Sequence, residues 1–312
     1  MKIIIDDKKF EGFHQYVFWN NRFFKSDDID DTELHINWSR SLRCTLEASP
    51  MPEEFVPESC IIASHAVQVN TLFRKIKRAK GPFNVVLYSR DAGIQNQSPQ
   101  NNRTYSSKQG HCITYNHHVR HEHETLNRIP NSVNKIFCSN VNFPSDTIIC
   151  YPYGIMQDIA SVIEQAWNSD IMHGPRKFCY ANFDTKTNRT HRMPIWEIIS
   201  KNPRVDCFDP QDNPLALDEY VRELCSYKYV LCPKGNGIDT MRMWESIYCG
   251  AIPIVQKSGV SSCFSSSLPI VEVEDWNLDN EYLETVYPTV AYRLANLELT
   301  DKDYWRDRVN EL

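Results

Sequence analysis

The sequence lacks a long apolar segment. No window of its 312 residues approaches the roughly 20 apolar positions that a membrane-spanning helix needs. The apolar run at residues 3–5 is followed at once by charged residues, so it is too short and too polar for a signal peptide. These absences predict a soluble, cytoplasmic protein without a transmembrane segment; a membrane anchor removed from the chain is the alternative.

An excess of positive charge is also missing. The chain has 34 Lys and Arg against 40 Asp and Glu, which gives a net charge of -6 at pH 7. A protein with this balance offers no broad basic surface to a nucleic-acid backbone, although a local basic pocket can still bind one phosphorylated ligand. We therefore expect no nucleic-acid partner.

The eleven cysteines include no Cys-x-x-Cys pair, and several stand in apolar runs. In a chain of this length, the pattern predicts buried, reduced thiols rather than a disulfide framework. Neither the Walker A motif nor the three-glycine dinucleotide fingerprint occurs.

Metal-site patterns are weak. One Asp-x-Asp lies in a polar run at residues 28–30 and another near the end at residues 301–303, so neither follows a strand as in a metal-dependent transferase. His117 and His121 have the i, i+4 spacing of zinc ligands, but their segment is polar and has no third ligand at a diagnostic spacing. We interpret it as a solvated or acceptor-facing surface and expect no essential metal.

What the sequence does contain is an alternation of strand and helix patterns. Strand patterns occur near residues 60–63, 84–88, 135–138, 147–151, 177–182, 205–208, 227–232, 252–255 and 270–273. Helical patterns occur at residues 67–79, 155–167, 194–200, 217–226, 239–249 and 290–312. This alternation predicts an α/β protein with parallel sheets covered by helices.

The segment 227–255 carries the most chemical information, because it predicts a buried strand, a glycine loop, a helix and another buried strand. The glycines let the backbone approach a ligand closely, and the helix N-terminus offers free amides to a phosphate. Arg242 and Glu245 are three residues apart and share a helix face, where the arginine can bind a diphosphate and the glutamate a ribose. A structural unit with an incidental Arg–Glu pair is the alternative.

This segment closely resembles the C-terminal signature of exostosin-like glycosyltransferases. The matching residues are Tyr227-Lys228-Tyr229, Cys232-Pro233-Lys234-Gly235, Arg242, Glu245-Ser246 and the Gly-Ala-Ile-Pro-Ile-Val of residues 250–255. A more distant likeness exists to the donor-binding half of α1,3-fucosyltransferases. The resemblance is specific over this segment, looser over residues 138–192 and faint before them.

The resemblance implies a GT-B architecture, in which two Rossmann-like domains face each other across a cleft. Residues 1–154 would form the acceptor-side domain. Residues 155–312 would bind the nucleotide sugar and end in a helix that packs back on the first domain. The family resembles inverting enzymes that need no bound metal.

Carried over by position, Arg242 resembles the diphosphate ligand and Glu245 the ribose ligand. The other residues that would shape or contact the donor are Lys234, Gly235, Asn236, Gly237, Asp239, Asn182 and Arg192. For Arg192, a solvated cation at a helix start is the alternative.

The reaction also needs a general base for the acceptor hydroxyl. Asp91 is the first candidate, because it follows a predicted strand at the sheet edge where α/β proteins place ligands. A cap or turn role is its alternative. His65, which follows another strand, is the second candidate.

The resulting prediction is an inverting glycosyltransferase that moves a sugar from a nucleotide donor to a glycan hydroxyl. The resemblance favours a UDP-sugar, such as UDP-xylose, UDP-galactose, UDP-glucuronic acid or UDP-arabinose. The alternatives are a GDP-fucose-dependent fucosyltransferase and a non-catalytic nucleotide- or glycan-binding module. An NAD enzyme is disfavoured, because the glycine loop lies late in the chain and lacks the fingerprint.

Overall fold

The computed structural model describes residues 2–4, 16–19, 22–25, 60–65, 69–88, 93–96, 111–114, 129–141, 144–212, 214–295 and 297–311. The chain divides into two compact units. The C-terminal unit consists of Met1–Asp6 and Pro152–Asp301, and the N-terminal unit consists of Asp7–Tyr151 and Lys302–Leu312. Each unit therefore takes a short segment from the far end of the chain.

The strands and helices are numbered in chain order. The strands are β1 (Tyr16–Trp19), β2 (Arg22–Lys25), β3 (Cys60–His65), β4 (Phe83–Tyr88), β5 (Gly93–Asn96), β6 (His111–Thr114), β7 (Val133–Cys138), β8 (Ile148–Cys150), β9 (Lys177–Ala181), β10 (Val205–Cys207), β11 (Tyr227–Leu231), β12 (Ile252–Gln256) and β13 (Val271–Val273). The α-helices are α1 (Val69–Ile76), α2 (Gln157–Trp167), α3 (Arg189–Ile199), α4 (Leu217–Cys225), α5 (Met241–Tyr248), α6 (Gly259–Phe264), α7 (Asn280–Ala291) and α8 (Lys302–Asn310).

The N-terminal unit contains a sheet in the order β2-β1-β3-β4-β7-β8. Its neighbours pair in parallel except β1 and β2, which are antiparallel. Helix α1 buries Val69, Leu72, Phe73 and Ile76, whose spacing places them on one face. Strands β5 and β6 form a separate antiparallel pair.

Helix α8 belongs to this N-terminal unit through buried contacts. The ring of Trp305 lies 5.0 Å from that of Tyr151. The buried side-chain amide of Asn84 donates a hydrogen bond of 2.8 Å to the carbonyl of Val309. The final helix therefore supplies both apolar packing and a partner for a polar group inside the sheet.

The C-terminal unit contains a fully parallel sheet in the order β10-β9-β11-β12-β13. The chain moves outward from β9 to β10 on one side and then to β11 on the other. The order therefore reverses between β9 and β11, and such a switch point leaves a crevice at the carboxyl ends of the strands. The loops that follow these two strands meet there.

One face of this sheet packs against α3 and α7. The cluster includes Ile195 and Ile199 of α3, Leu283 of α7, and Tyr229 of β11. Tyr229 is fully buried, and its hydroxyl donates a hydrogen bond of 2.7 Å to the carbonyl of Leu283. The strand-to-helix packing fixes the start of α3 beside the crevice.

A glycine in the left-handed conformation follows the end of helix α5. Gly250 has φ +69°, its amide donates to the carbonyl of Ile247, and the amide of Ala251 donates to that of Ser246. This pair of bonds is the Schellman motif, which favours glycine at the left-handed position. It turns the chain sharply into β12.

The α/β class and the two sheets of mainly parallel strands are confirmed. Several helices differ from the sequence prediction, which has no helix at the position of α6. Helix α3 begins at Arg189 and contains Pro194, although the prediction began at that proline. Helix α7 was missed and begins where Asp279 accepts bonds from the amides of Glu281 and Tyr282, while residues 290–312 do not form one helix.

The chain passes from the N-terminal to the C-terminal unit before Pro152, and the predicted division after residue 154 stays a prediction. The amide of Tyr151 donates to Cys138 in the N-terminal sheet, whereas the amide of Tyr153 donates to Asp239 in the C-terminal unit. The chain therefore changes unit between residues 151 and 152.

Nine of the cysteines in the described ranges are reduced thiols, and seven of these nine are buried. None of the helices in the ranges given above has the length and apolarity to span a membrane.

Candidate functional site

The candidate site lies at the switch point of the C-terminal sheet. Residues 182–188 follow β9, and residues 232–240 follow β11. Since β9 and β11 are adjacent and parallel, both loops leave the sheet at the same edge. Most of the donor residues predicted from the sequence lie in these loops or in the helices that follow them.

Arg192 joins the two loops. Its Nε donates to the carbonyl of Lys234, its Nη2 to that of Pro233, and its Nη1 to that of Asp184, each at 3.1 Å. These bonds use three of the five guanidinium donors. Burial and the charge of Arg242 lower the pKa of Arg192 to about 10. The prediction that Arg192 contacts a donor stays a prediction; its observed partners are backbone carbonyls.

The glycine loop needs a small residue where Arg192 crosses it. A Cβ atom on Gly235 would lie 3.3 Å from Nη2 of Arg192. The carbonyl of Gly235 also accepts a hydrogen bond of 2.7 Å from the side chain of Asn188, the residue that precedes α3. Hydrogen bonds from Asn188 and Arg192 therefore hold the glycine loop, rather than bonds between residues of the loop itself.

Arg242 lies on the first turn of α5 and faces several groups at once. Its Nη1 donates to the backbone and side-chain oxygens of Asn182, and its Nε lies 3.3 Å from Oε2 of Glu245. Its guanidinium carbon lies 4.7 Å from the ring centre of Tyr220. No hydrogen bond of Nη2 is found within the described ranges, so this nitrogen is available to a ligand.

Glu245 lies one turn further along the same helix, as the i, i+3 spacing predicts. Only 11% of its side chain is exposed, and its Oε2 accepts a hydrogen bond of 2.5 Å from the hydroxyl of Tyr220. Its other oxygen, Oε1, accepts none from the described residues and is not a buried atom. One carboxylate oxygen is therefore committed to the protein and the other is open.

Asn182 supports Arg242 from the neighbouring loop. It is 3% exposed, and its amide nitrogen donates 3.0 Å to the hydroxyl of Tyr180 while its oxygens accept from Arg242. The amide is therefore oriented by Tyr180 and in turn orients the guanidinium. A direct contact of Asn182 with a donor stays a prediction.

Asp239 is placed differently from the helix-start ligand that the sequence suggests. It is 4% exposed, and it accepts hydrogen bonds from the amide of Tyr153 at 3.0 Å and from the indole of Trp244 at 2.8 Å. The residue before α5 is Thr240, whose side chain makes no capping bond. The first amides of α5 are thus left without a side-chain cap.

Two cations at this edge, Lys234 and Arg192, form no salt bridge with a carboxylate among the described residues, whereas Arg242 pairs with Glu245. Lys234 is partly buried, which lowers its pKa, and no hydrogen bond or ion pair of its amine is found in the part of the chain that is described. Burial and the charges of Lys234 and Arg192 lower the pKa of His191 to about 4. The Nε2 of His191 is buried and has no hydrogen-bond partner among the residues that the structure describes. Such an arrangement favours an anionic ligand.

The remaining predicted loop residues complete the edge. Asn236 is exposed, whereas Gly237 is buried beside it. Tyr220 is the site residue that the sequence reading missed. Its signal in the sequence was its place in the α4 pattern beside Val221 and Leu224, which are buried. That pattern is typical of a core aromatic residue and does not point to a functional site.

The predicted bases belong to the N-terminal unit. His65 is the last residue of β3, which places its backbone at the carboxyl edge of that sheet. Asp91 lies outside the described residues. Ser139, which follows β7 at the same edge, is 1% exposed and its hydroxyl lacks a hydrogen-bond partner in the described ranges. The choice of base stays a prediction.

The metal prediction can be compared only with part of the chain. Within the ranges described, no three His, Cys, Asp or Glu side chains come together as metal ligands. The histidines at positions 117 and 121 and the acidic residues 28–30 lie outside these ranges.

No protein-family model and no curated protein sequence matches the chain, so the exostosin-like resemblance stays a prediction. Solved structures of glycosyltransferases resemble it distantly. α,α-Trehalose-6-phosphate synthase from Burkholderia multivorans has a TM-score of 0.41 and 10% identity, over 81% of this chain and 69% of that one. An α1,3-fucosyltransferase has a TM-score of 0.34 and 14% identity, over 78% and 70%. An α1,3-fucosyltransferase with GDP-fucose has a TM-score of 0.32 and 13% identity, over 85% of each chain.

Proposed function

We propose that this chain is a glycosyltransferase that moves a sugar from a nucleoside-diphosphate donor to a hydroxyl group of a glycan. The donor binds at the switch point of the C-terminal sheet. The observation that carries the proposal is the amine of Lys234, a cation beside Arg192 that is partly buried without a carboxylate partner among the described residues. A diphosphate supplies the missing negative charge.

The geometry supports separate binding roles for the two polar side chains of α5. The open Nη2 of Arg242 can donate to the diphosphate, and arginine suits this ligand because its donors are fixed in a plane. The open Oε1 of Glu245 can accept from a ribose hydroxyl. The uncapped amides at the start of α5 add donors on the phosphate side.

In the transfer step, the acceptor oxygen forms a bond to the anomeric carbon while the bond from that carbon to the β-phosphate oxygen breaks. Negative charge grows on the departing diphosphate, and groups already aimed at it stabilise the transition state. Arg242, Lys234 and the helix amides perform this role. A base takes the acceptor proton, and Asp91, or else His65, is the proposed base of an inverting reaction.

The donor is proposed to be a UDP-sugar, with GDP-fucose as the alternative nucleotide sugar. The proposed transfer uses no divalent metal, since the cationic side chains and amides offset the leaving-group charge. EDTA should therefore leave turnover unchanged. Loss of activity in EDTA that Mg²⁺ or Mn²⁺ restores would contradict this part.

The first experiment measures the melting temperature with saturating UDP, GDP, CMP or NAD. A ligand at about 100 times its Kd stabilises the folded state by about 2.7 kcal/mol. We expect a shift with UDP or GDP only. Arg242→Ala should abolish the shift and remain folded, while Arg222→Ala, which removes an exposed arginine of α4, should keep it. A shift with NAD alone, or with no nucleotide, would refute the proposal.

Turnover separates a transferase from a binding module. The wild-type protein should consume the nucleotide sugar and release the nucleoside diphosphate, whereas a module would bind it unchanged. Asp91→Asn should lose transfer and keep nucleotide binding. Full activity in that variant would remove Asp91 as the base.

A further inference from the structure

Tyr220 lies on α4, which packs beside α5 in the C-terminal unit. On the same helix Val221, Leu224 and Cys225 are buried, so α4 is anchored by its apolar side. Tyr220 itself is partly exposed and extends toward the helix that carries Arg242 and Glu245. A rigid helix therefore delivers this ring to the centre of the site.

The hydroxyl of Tyr220 determines which oxygen of Glu245 is open. It donates a hydrogen bond of 2.5 Å to Oε2, which is also the oxygen that lies 3.3 Å from Nε of Arg242. Hydrogen bonds to a charged acceptor are short and strong, so this bond restricts rotation of the carboxylate. Burial raises the pKa of Tyr220 well above its ordinary value, and the phenol therefore remains a donor near neutral pH.

The ring of Tyr220 determines where Arg242 can lie. The guanidinium carbon is 4.7 Å from the ring centre, within the range of a cation–π contact. Asn182 accepts hydrogen bonds from Nη1 of the same guanidinium. The ring of Tyr220 and the amide of Asn182 together orient Arg242, and Nη2 has no hydrogen bond to the described residues.

We propose that Tyr220 is a positioning residue that orients Glu245 for a ribose hydroxyl and thereby sets a preference for ribonucleotides over deoxyribonucleotides. This inference rests on the proposed nucleotide-binding function. Tyr220 need not touch the ligand, since its hydroxyl acts through the carboxylate. Its role is separate from that of Arg242, which serves the phosphates.

The experiment is a cycle that combines a variant with a ligand analogue. The Kd of the nucleoside diphosphate that binds is compared with that of its 2′,3′-dideoxy analogue, for wild type and for Tyr220→Phe. Loss of a hydrogen bond to a charged group costs about tenfold in affinity, so wild type should prefer the ribonucleotide by about tenfold or more. In Tyr220→Phe the preference should fall to within about threefold.

Two further variants keep the test specific. Tyr282→Phe, at an exposed tyrosine of the same unit, should keep the wild-type preference. In a Glu245→Gln background, Tyr220→Phe should change the preference no further. With a nucleotide-sugar donor, Tyr220→Phe should raise KM while kcat stays within about threefold, because the ribose contact is kept in the transition state.

The outcomes distinguish a failure of the positioning role of Tyr220 from a failure of the proposed nucleotide-binding function. If wild type binds the nucleotide and Tyr220→Phe keeps the same ribose preference, the positioning role is overturned and the proposed function stands. If wild type binds no nucleotide, both are overturned. Equal losses for the ribo and dideoxy ligands would assign Tyr220 to general support of the fold and would also overturn the inference.

Discussion

Asn188 donates a hydrogen bond of 2.7 Å from its side-chain amide to the carbonyl of Gly235, 47 residues later in the chain. Asn188 also has φ +49°, in the left-handed region that asparagine tolerates better than most residues. Asn188 thus precedes α3 and holds the glycine loop, so its backbone conformation and its hydrogen bond can be tested separately.

Asn188→Gly keeps the permitted backbone and removes the hydrogen bond, which should lower the free energy of unfolding by about 1 kcal/mol. Asn188→Ala removes the same bond and adds the left-handed penalty, at least about 1 kcal/mol more. Urea unfolding followed by tryptophan fluorescence measures both. Equal stability of the two variants would mean that the backbone at this position relaxes at no cost.

Lys234→Met should weaken nucleoside-diphosphate binding by about tenfold or more, because it removes a partly buried charge that the described residues leave unpaired. The same change should leave the melting temperature of the free protein equal or higher, since a desolvated amine is lost. Calorimetric titration measures the affinity. Lys201→Met, at an exposed lysine after the other end of α3, serves as the control, and an equal loss there would point to non-specific attraction.

His191 should make stability depend on pH. Its pKa falls from 6.5 to about 4 on folding through burial, Lys234 and Arg192. The unfolded state therefore binds more protons between these values, and this contribution to stability is present above pH 6.5 and is lost as the pH falls toward 4. His191→Asn should flatten the decline of melting temperature over that window. His173→Asn, at an exposed histidine, should not, and an unchanged slope in His191→Asn would contradict the assignment.

Gly250→Ala should destabilise the C-terminal unit by about 1–2 kcal/mol through its positive φ alone. The added Cβ would also lie 2.9 Å from Nη2 of Arg176. This nitrogen donates to the carbonyl of Cys249, and Nη1 of the same side chain donates to that of Tyr227. Thermal denaturation compares it with Gly174→Ala, whose Cβ would have no neighbour closer than 3.9 Å. A Gly250→Ala variant as stable as Gly174→Ala would show that the backbone of the Schellman motif at residue 250 can relax without an energetic cost.

The local part of the site could be predicted from the sequence, because it depends on short spacings. The i, i+3 spacing of Arg242 and Glu245 is enough to place both on one helix face, and a glycine after a helical pattern predicts the turn at Gly250. The alternation of strand and helix patterns was also enough for the fold class.

The rest depends on contacts between distant positions. Asp239 resembles a helix cap in sequence, but its partners are Tyr153 and Trp244, and the former lies 86 residues away. Arg192 resembles a ligand or a solvated cation, yet it bonds to carbonyls of a loop about 40 residues later. Backbone carbonyls have no signature in a sequence, so this role could not be read from it.

The exchange of terminal segments makes each unit discontinuous in sequence. A cut between residues 151 and 152 yields two fragments, neither of which contains a whole unit, since Met1–Asp6 and Lys302–Leu312 remain on the wrong pieces. A hybrid of two such proteins that are joined at this single point would therefore contain sequence from both parents within each unit. Grafting the whole C-terminal unit onto another scaffold requires three junctions, and fragments made with one junction should complement each other when mixed rather than fold alone.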